Sequence, residues 1–122
     1  MSVAPHPMSE LHGACNCGAV TFTLSEAPTA ATACHCTQCR RQSGHYFASA
    51  NVPKAAVRIA GADNITWYRS SEKVRRGFCS KCGSWLFWEP LFRDWTSVAL
   101  GSLDAPTRLQ LQRHIFVAHK GD

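Results

Sequence analysis

Seven cysteines fall into three tight clusters in a chain of 122 residues, and no other feature constrains the fold as strongly. Cys15 and Cys17 form the first cluster, Cys34, Cys36 and Cys39 the second, and Cys79 and Cys82 the third. Disulfides explain this pattern poorly. The number is odd, Met1 to Pro7 has neither a charged n-region nor an apolar h-region, and cysteines two or three residues apart make strained partners. A thioredoxin-like redox pair at Cys36 and Cys39 would need a βαβ context that the flanking sequence lacks. Zinc accounts for the clustering, because Zn²⁺ takes four soft ligands from a few short turns.

The clusters differ in the residue on their C-terminal side. Gly18 comes directly after Cys17 and Gly83 directly after Cys82. A turn that points backbone N–H groups at sulfur must reverse sharply, often at φ > 0, which glycine permits without a Cβ clash. Cys39 instead leads into Arg40-Arg41-Gln42, which reads as the first turn of a short helix. The two glycine-ended clusters therefore pair, and Cys15, Cys17, Cys79 and Cys82 make a closed, structural zinc site. Cys34, Cys36 and Cys39 are left with three ligands and an open position, the mark of a catalytic zinc. This reading expects two zinc ions per chain, the second held more weakly and only partly occupied. The alternative left open is one structural zinc, with the middle cysteines as bystanders.

Charge and composition narrow the partners. Seven thiolate charges and the four positive charges of two Zn²⁺ reduce the formal +5 to +2, so bulk attraction to nucleic acid fades. Local basic runs remain at Arg40-Arg41 and at Lys73-Val74-Arg75-Arg76, either as solvated surface or facing the site. The longest aromatic run, Trp85-Leu86-Phe87-Trp88, is far too short to cross a bilayer. No nucleic acid and no membrane are expected as partners, and free thiols without an export signal suit the reducing cytoplasm.

Residues 1 to 10 read as a flexible tail and residues 11 to 122 as one zinc-binding domain. Alternation predicts strands at Val20–Leu24, Val57–Ala60 and Ile65–Arg69, and the stretches between turns and metal clusters add strands at Thr29–Cys34, Tyr46–Val52, Val74–Phe78, Ser84–Trp88 and Thr96–Leu100. Two more are expected at Leu109–Gln112 and Ile115–Ala118. A short helix capped by Cys36 or Thr37 runs through Gln42 and ends at Ser43-Gly44. The fold class is all-β, with antiparallel sheets packed face to face and one short helix. The aromatic residues between 78 and 95 are expected mainly in the core, a minority lining a pocket.

Gly13-Ala14-Cys15-Asn16-Cys17-Gly18, Cys34-His35-Cys36-Thr37-Gln38-Cys39-Arg40-Arg41-Gln42-Ser43-Gly44 and Gly77-Phe78-Cys79-Ser80-Lys81-Cys82-Gly83-Ser84, with Gln112 to Val117, carry a family resemblance. Over about residues 11 to 118 the chain resembles the glutathione-dependent formaldehyde-activating enzymes and their centromere-protein-V relatives. The resemblance implies a tent-like fold of packed antiparallel sheets. It implies a structural zinc on Cys15, Cys17, Cys79 and Cys82 and a catalytic zinc on Cys34, Cys36 and Cys39. It also implies a carbon–sulfur lyase that, in reverse, joins glutathione and formaldehyde into S-(hydroxymethyl)glutathione. Family members usually continue past the position of Asp122 with another aromatic-containing segment.

Three thiolates on Zn²⁺ sum to −1, which makes the ion a poor activator of water and a better host for a fourth sulfur. A glutathione-like thiol could then attack a small aldehyde. Arg40, Arg41, Arg75 or Arg76 are candidates to hold its carboxylates, Arg40 and Arg41 lying nearest in sequence, one facing the metal and the other solvent. His45 is a candidate proton relay or fourth ligand, against the fate of an exposed loop histidine, and His35 points away from the metal. A rival reading is a zinc-stabilised β-scaffold that binds a protein or nucleic-acid partner without catalysis.

Overall fold

The computed structural model describes residues 10–122, so the expected flexible tail lies outside the described residues except for Glu10. The elements in chain order are β1 (Leu11–Ala14), β2 (Thr21–Leu24), β3 (Thr29–Cys34), α1 (Thr37–Ser43), β4 (Phe47–Pro53), β5 (Val57–Ala60) and β6 (Ile65–Arg69). They continue with β7 (Val74–Cys79), β8 (Trp85–Pro90), β9 (Trp95–Ala99) and β10 (Arg113–Ile115). Two sheets result, a three-stranded one in the order β1-β2-β5 and a seven-stranded one in the order β10-β3-β4-β9-β8-β7-β6. All pairings are antiparallel except that of β10 with β3. The fold is therefore all-β with a single short α-helix, as the alternation predicts.

Period-two alternation makes the large sheet two-faced. Val52 of β4, Phe87 of β8 and Val98 of β9 pack into one core with Leu11, Phe22 and Leu24 of the small sheet. Phe22 meets Phe87 edge-on across the two sheets, with ring centroids 5.2 Å apart. Burying side chains of this size contributes roughly 1.5–3 kcal/mol each, so this interface is what holds the sheets face to face. The intervening residues, Phe47, Ser49 and Asn51 of β4 with Trp95 and Ser97 of β9, turn to the opposite face and line a cavity.

Helix α1 forms where its caps dictate. Cys36 has extended backbone and its sulfur accepts from the Cys39 N–H, while Gly44 closes the other end at φ 90°. The C-terminal region departs from expectation. Leu109–Gln112 alternates but finds no partner strand, and the chain reaches the sheet edge only when the Gln112 N–H donates to the Ala31 carbonyl at 2.9 Å. The expected strand at Ile115–Ala118 is also displaced. Arg113–Ile115 pairs parallel with Thr32–Cys34, after which Phe116 enters the left-handed region at φ 56° and leads into a single 3-10 turn. Alternation marks strand-compatible residues, but the pairing partner decides where a strand starts. Among the described residues no helix is long and apolar enough to cross a membrane.

Candidate functional site

The first cysteine group joins the two sheets. Cys15 and Cys17 lie in the turn between β1 and β2 of the small sheet, and Cys79 and Cys82 at the tip of the β7–β8 hairpin of the large one. All four sulfurs lie within 4.8 Å of one another. The Cys15–Cys17 and Cys17–Cys79 Sγ separations are 3.6 and 3.7 Å. A tetrahedral zinc with bonds near 2.3 Å requires sulfurs about 3.8 Å apart, so these positions fit the ion. The two turns are also built alike. Gly18 and Gly83 both sit at positive φ, 79° and 80°, as the glycine argument requires. Backbone N–H groups point at sulfur, from Val20 to Cys15 at 3.3 Å and from Lys81 to Cys79 at 3.4 Å. The Ser84 hydroxyl, 3.2 Å from the Cys82 sulfur, holds that thiol down to about 5. Every cysteine is a free thiol, so the sulfurs are available to a metal.

The second group belongs to the large sheet alone. Cys34 ends β3, Cys36 caps α1 and Cys39 lies in its first turn, their sulfurs all within 4.8 Å. An all-sulfur set of three again suits zinc, and no fourth ligand joins the group among the described residues. The Cys34 thiol is pushed down to about 5, first by the Cys39 thiol hydrogen-bonding to it, with the Arg76 charge adding to the effect. The same partnership raises Cys39.

Arg76 is the group's electrostatic partner. It is only 3% exposed. Its Nη1 donates to Cys39 Sγ at 3.4 Å, Nη2 to Gln38 Oε1 at 3.0 Å and Nε to Ser70 Oγ at 3.0 Å. The guanidinium also lies 5.2 Å from the Trp85 ring centroid. The ion pairs among the described residues are Arg75–Glu89 and, when the imidazole is charged, His12–Glu10. Arg76 therefore has no carboxylate, and a buried guanidinium without a counter-charge is strongly unfavourable. The sulfur group offers that counter-charge at Cys34, whose thiol the Arg76 charge helps to push down.

All three cysteines line a cavity of about 360 Å³. Its floor is the outer face of the large sheet, read strand by strand from Ile115 through Cys34, Phe47, Ser97 and Trp88 to Arg76. Arg113 and Phe116 extend the lining on the β10 side. Ser97 Oγ donates to Asn51 Oδ1 at 2.7 Å on this floor.

The other candidates sit elsewhere. Arg40 donates from Nε to the His119 carbonyl at 3.1 Å, Arg41 is exposed, and neither lines the cavity. Arg75 pairs with Glu89 and covers the Trp67 ring at 3.9 Å. His45 is exposed and packs on Tyr46, its ring centroids 4.7 Å away, outside the sulfur group. His35 turns its Nε2 to His114 Nδ1 at 2.7 Å, away from the sulfurs, as the spacing suggests. Of the four arginines named from sequence, the geometry brings only Arg76 to the sulfurs. Arg113, Asn51, Ser97 and Gln38 are additions. For Arg113, Asn51 and Ser97 the signal is strand alternation once the sheet order is known, which the sequence alone does not reveal, and Gln38 lies in α1 between the ligands Cys36 and Cys39.

A family model described as glutathione-dependent formaldehyde-activating enzyme matches residues 10–119. A Halomonas elongata protein, provisionally named a glutathione-dependent formaldehyde-activating enzyme, is 29% identical over 125 residues, covering 92% of this chain and 78% of its own. The crystal structure of a Rhodobacter sphaeroides protein is similar with a TM-score of 0.70 at 25% identity, covering 84% of this chain and 98% of that one.

Proposed function

The chain belongs to the glutathione-dependent formaldehyde-activating enzyme family, and on that premise we propose that it adds a glutathione-like thiol to a small aldehyde, the reverse of a carbon–sulfur lyase reaction. The observation that carries the reading is the three-sulfur group of Cys34, Cys36 and Cys39, opening with no fourth protein ligand onto a cavity among the described residues. A scaffold gains nothing from such an arrangement, whereas Cys15, Cys17, Cys79 and Cys82 are complete as a structural set. Zinc, when bound at the three-sulfur site, supplies an open position and a positive charge that favour the ionised form of a substrate sulfur.

The chain's own residues do the rest. Arg76 neutralises the sulfur cluster and fixes Cys39, so that the site presents no net repulsion to an incoming anionic sulfur. The amide N–H₂ of Asn51, whose oxygen is occupied by Ser97, remains to donate to a substrate oxygen. Arg113 at the cavity edge suits a carboxylate of the thiol. Arg40, Arg41 and His45 would meet only parts of a thiol reaching outside the cavity. In the addition the thiol loses its proton, sulfur bonds to the carbonyl carbon, the C=O π pair moves to oxygen, and oxygen takes up a proton. No redox partner is needed, and holding the two reactants together is the main contribution. Free thiols throughout suit chemistry in the reducing cytoplasm.

Exchange of ¹³C-formaldehyde with glutathione, followed by NMR in the presence of zinc-loaded protein, tests the proposal. Exchange faster than in buffer, and lost in Cys36→Ser, supports it. Protein carrying two zinc ions that accelerates thiol addition to neither formaldehyde nor a larger aldehyde overturns it.

A further inference from the structure

The cavity is far larger than formaldehyde requires. About 360 Å³ lies in the range of pockets that enclose whole organic ligands. A one-carbon aldehyde is comparable to one or two waters, each occupying about 30 Å³ in the liquid. Glutathione does not account for the remaining space. Its carboxylates and ammonium would lose their hydration against Phe47, Trp88 and Trp95, so the tripeptide belongs at the Arg113 side with its thiol arm inside.

Those walls are aromatic and flat. Trp88 and Trp95 line the cavity from adjacent strands and stack on each other, ring centroids 5.9 Å apart and planes 23° from parallel. Phe47 lines it too, with one face already covered by Trp85 at 4.0 Å and 13°. Phe47 also packs against Cys39, with Cys34, Cys36 and Trp88 beside it, so these two aromatic rings and the three cysteines are parts of one cluster. Val74, Ile115 and Phe116 add to the apolar surface. The polar lining comprises Ser49, Asn51 and Ser97 on the strand floor, Gln38 and Arg76 hydrogen-bonded to each other, and Thr32, Ser71 and Arg113. A row of π-faces beside the uncharged polar groups of Asn51 and Ser97 suits a planar ring that carries an oxygen.

We infer that the aldehyde taken by this site is aromatic, its ring against Trp88, Trp95 and Phe47 and its carbonyl turned to the sulfurs. This rests on the thiol-addition reading and specifies its electrophile. The bond changes are those already given, with the thiol sulfur joined to an aryl-bearing carbon and the thiol proton ending on oxygen.

The test separates binding from chemistry. 2-Naphthalenemethanol cannot accept a thiol and probes the ring site alone. Titrated into the zinc-loaded protein and followed by saturation-transfer NMR, it should bind saturably and at least about tenfold more tightly than benzyl alcohol. Trp88→Leu or Trp95→Leu, whichever folds with two zinc ions, should weaken it at least about tenfold. Absence of saturable binding, or binding indifferent to these substitutions, overturns the inference. In the second arm glutathione is supplied with 2-naphthaldehyde or with formaldehyde, and each rate is divided by its rate without protein. The acceleration should be at least about tenfold larger for 2-naphthaldehyde. Acceleration of formaldehyde alone overturns the aromatic assignment and leaves the thiol-addition reading intact. Acceleration of neither aldehyde overturns both.

Discussion

Replacing one cysteine in each group should have opposite consequences for folding, and the structure sets the size of the difference. Cys79 is fully buried at the tip of the β7–β8 hairpin, and two of its group's other three ligands, Cys15 and Cys17, come from the other sheet, Cys17 lying 62 residues away. Structural zinc in small domains contributes about 10–16 kcal/mol of apparent folding energy, comparable to the whole stability of about 5–15 kcal/mol for a single domain. Cys79→Ser should therefore leave an unfolded or aggregated chain. Cys36 differs on every count. Its partners Cys34 and Cys39 are near neighbours on the same sheet and helix, so their metal crosslinks nothing distant. Its sulfur also caps α1 by accepting from the Cys39 N–H at 3.4 Å, and a serine oxygen is a better cap than sulfur. Cys36→Ser should stay folded within about 1 kcal/mol of the parent, or about 4 °C in Tm, while carrying one zinc instead of two. Circular-dichroism melting with metal analysis on the same samples reads both quantities. A Cys79→Ser protein that melts within a few degrees of the parent, or a Cys36→Ser protein that does not fold, would refute the division of roles.

Arg76→Met should keep the apolar stem while removing the charge, weakening metal retention at the three-sulfur site at least about tenfold in chelator competition with the four-sulfur site unchanged. Arg113→Ala should weaken glutathione binding by about tenfold, and Arg41→Ala by less than threefold, in calorimetric titration, because only the first lines the cavity. Phe22→Ala should destabilise the domain by about 3–5 kcal/mol in urea unfolding, since its ring joins the two sheets against Phe87. Acidification should release zinc, because thiolates must stay deprotonated to hold it, and the three-sulfur site should empty at a higher pH than the four-sulfur site. Zinc release followed with a chromogenic chelator would then show two steps, and release of both ions together would contradict that order.

Local signals read well from sequence where the cause is local. β5 and β6 match their predicted limits because Val57-Arg58-Ile59-Ala60 and Ile65 to Arg69 carry their own alternation and turn residues, and β3 matches its limits between the turn at Pro28 and the ligand Cys34. The two glycine-ended turns are legible because φ > 0 is demanded by the turn itself. What escaped depends on sheet order. Leu109 to Gln112 alternates like a strand but has no neighbour to pair with. Trp88 and Trp95 read as core because nothing local says that β8 and β9 present their alternate faces to a cavity rather than to the small sheet. Arg75 and Arg76 look interchangeable in sequence, yet one residue of strand register sends Arg75 to Trp67 and Glu89 and buries Arg76 beside Cys39.

The central claim is that the Cys34–Cys36–Cys39 site accepts the sulfur of a substrate thiol. Protein loaded with zinc in the four-sulfur site and cobalt in the three-sulfur site, titrated with glutathione, tests it most directly. A saturable rise in the sulfur-to-cobalt charge-transfer absorption, absent when S-methylglutathione replaces glutathione, is the predicted result. A cobalt spectrum that glutathione leaves unchanged, in protein shown to hold both metals, would contradict the claim.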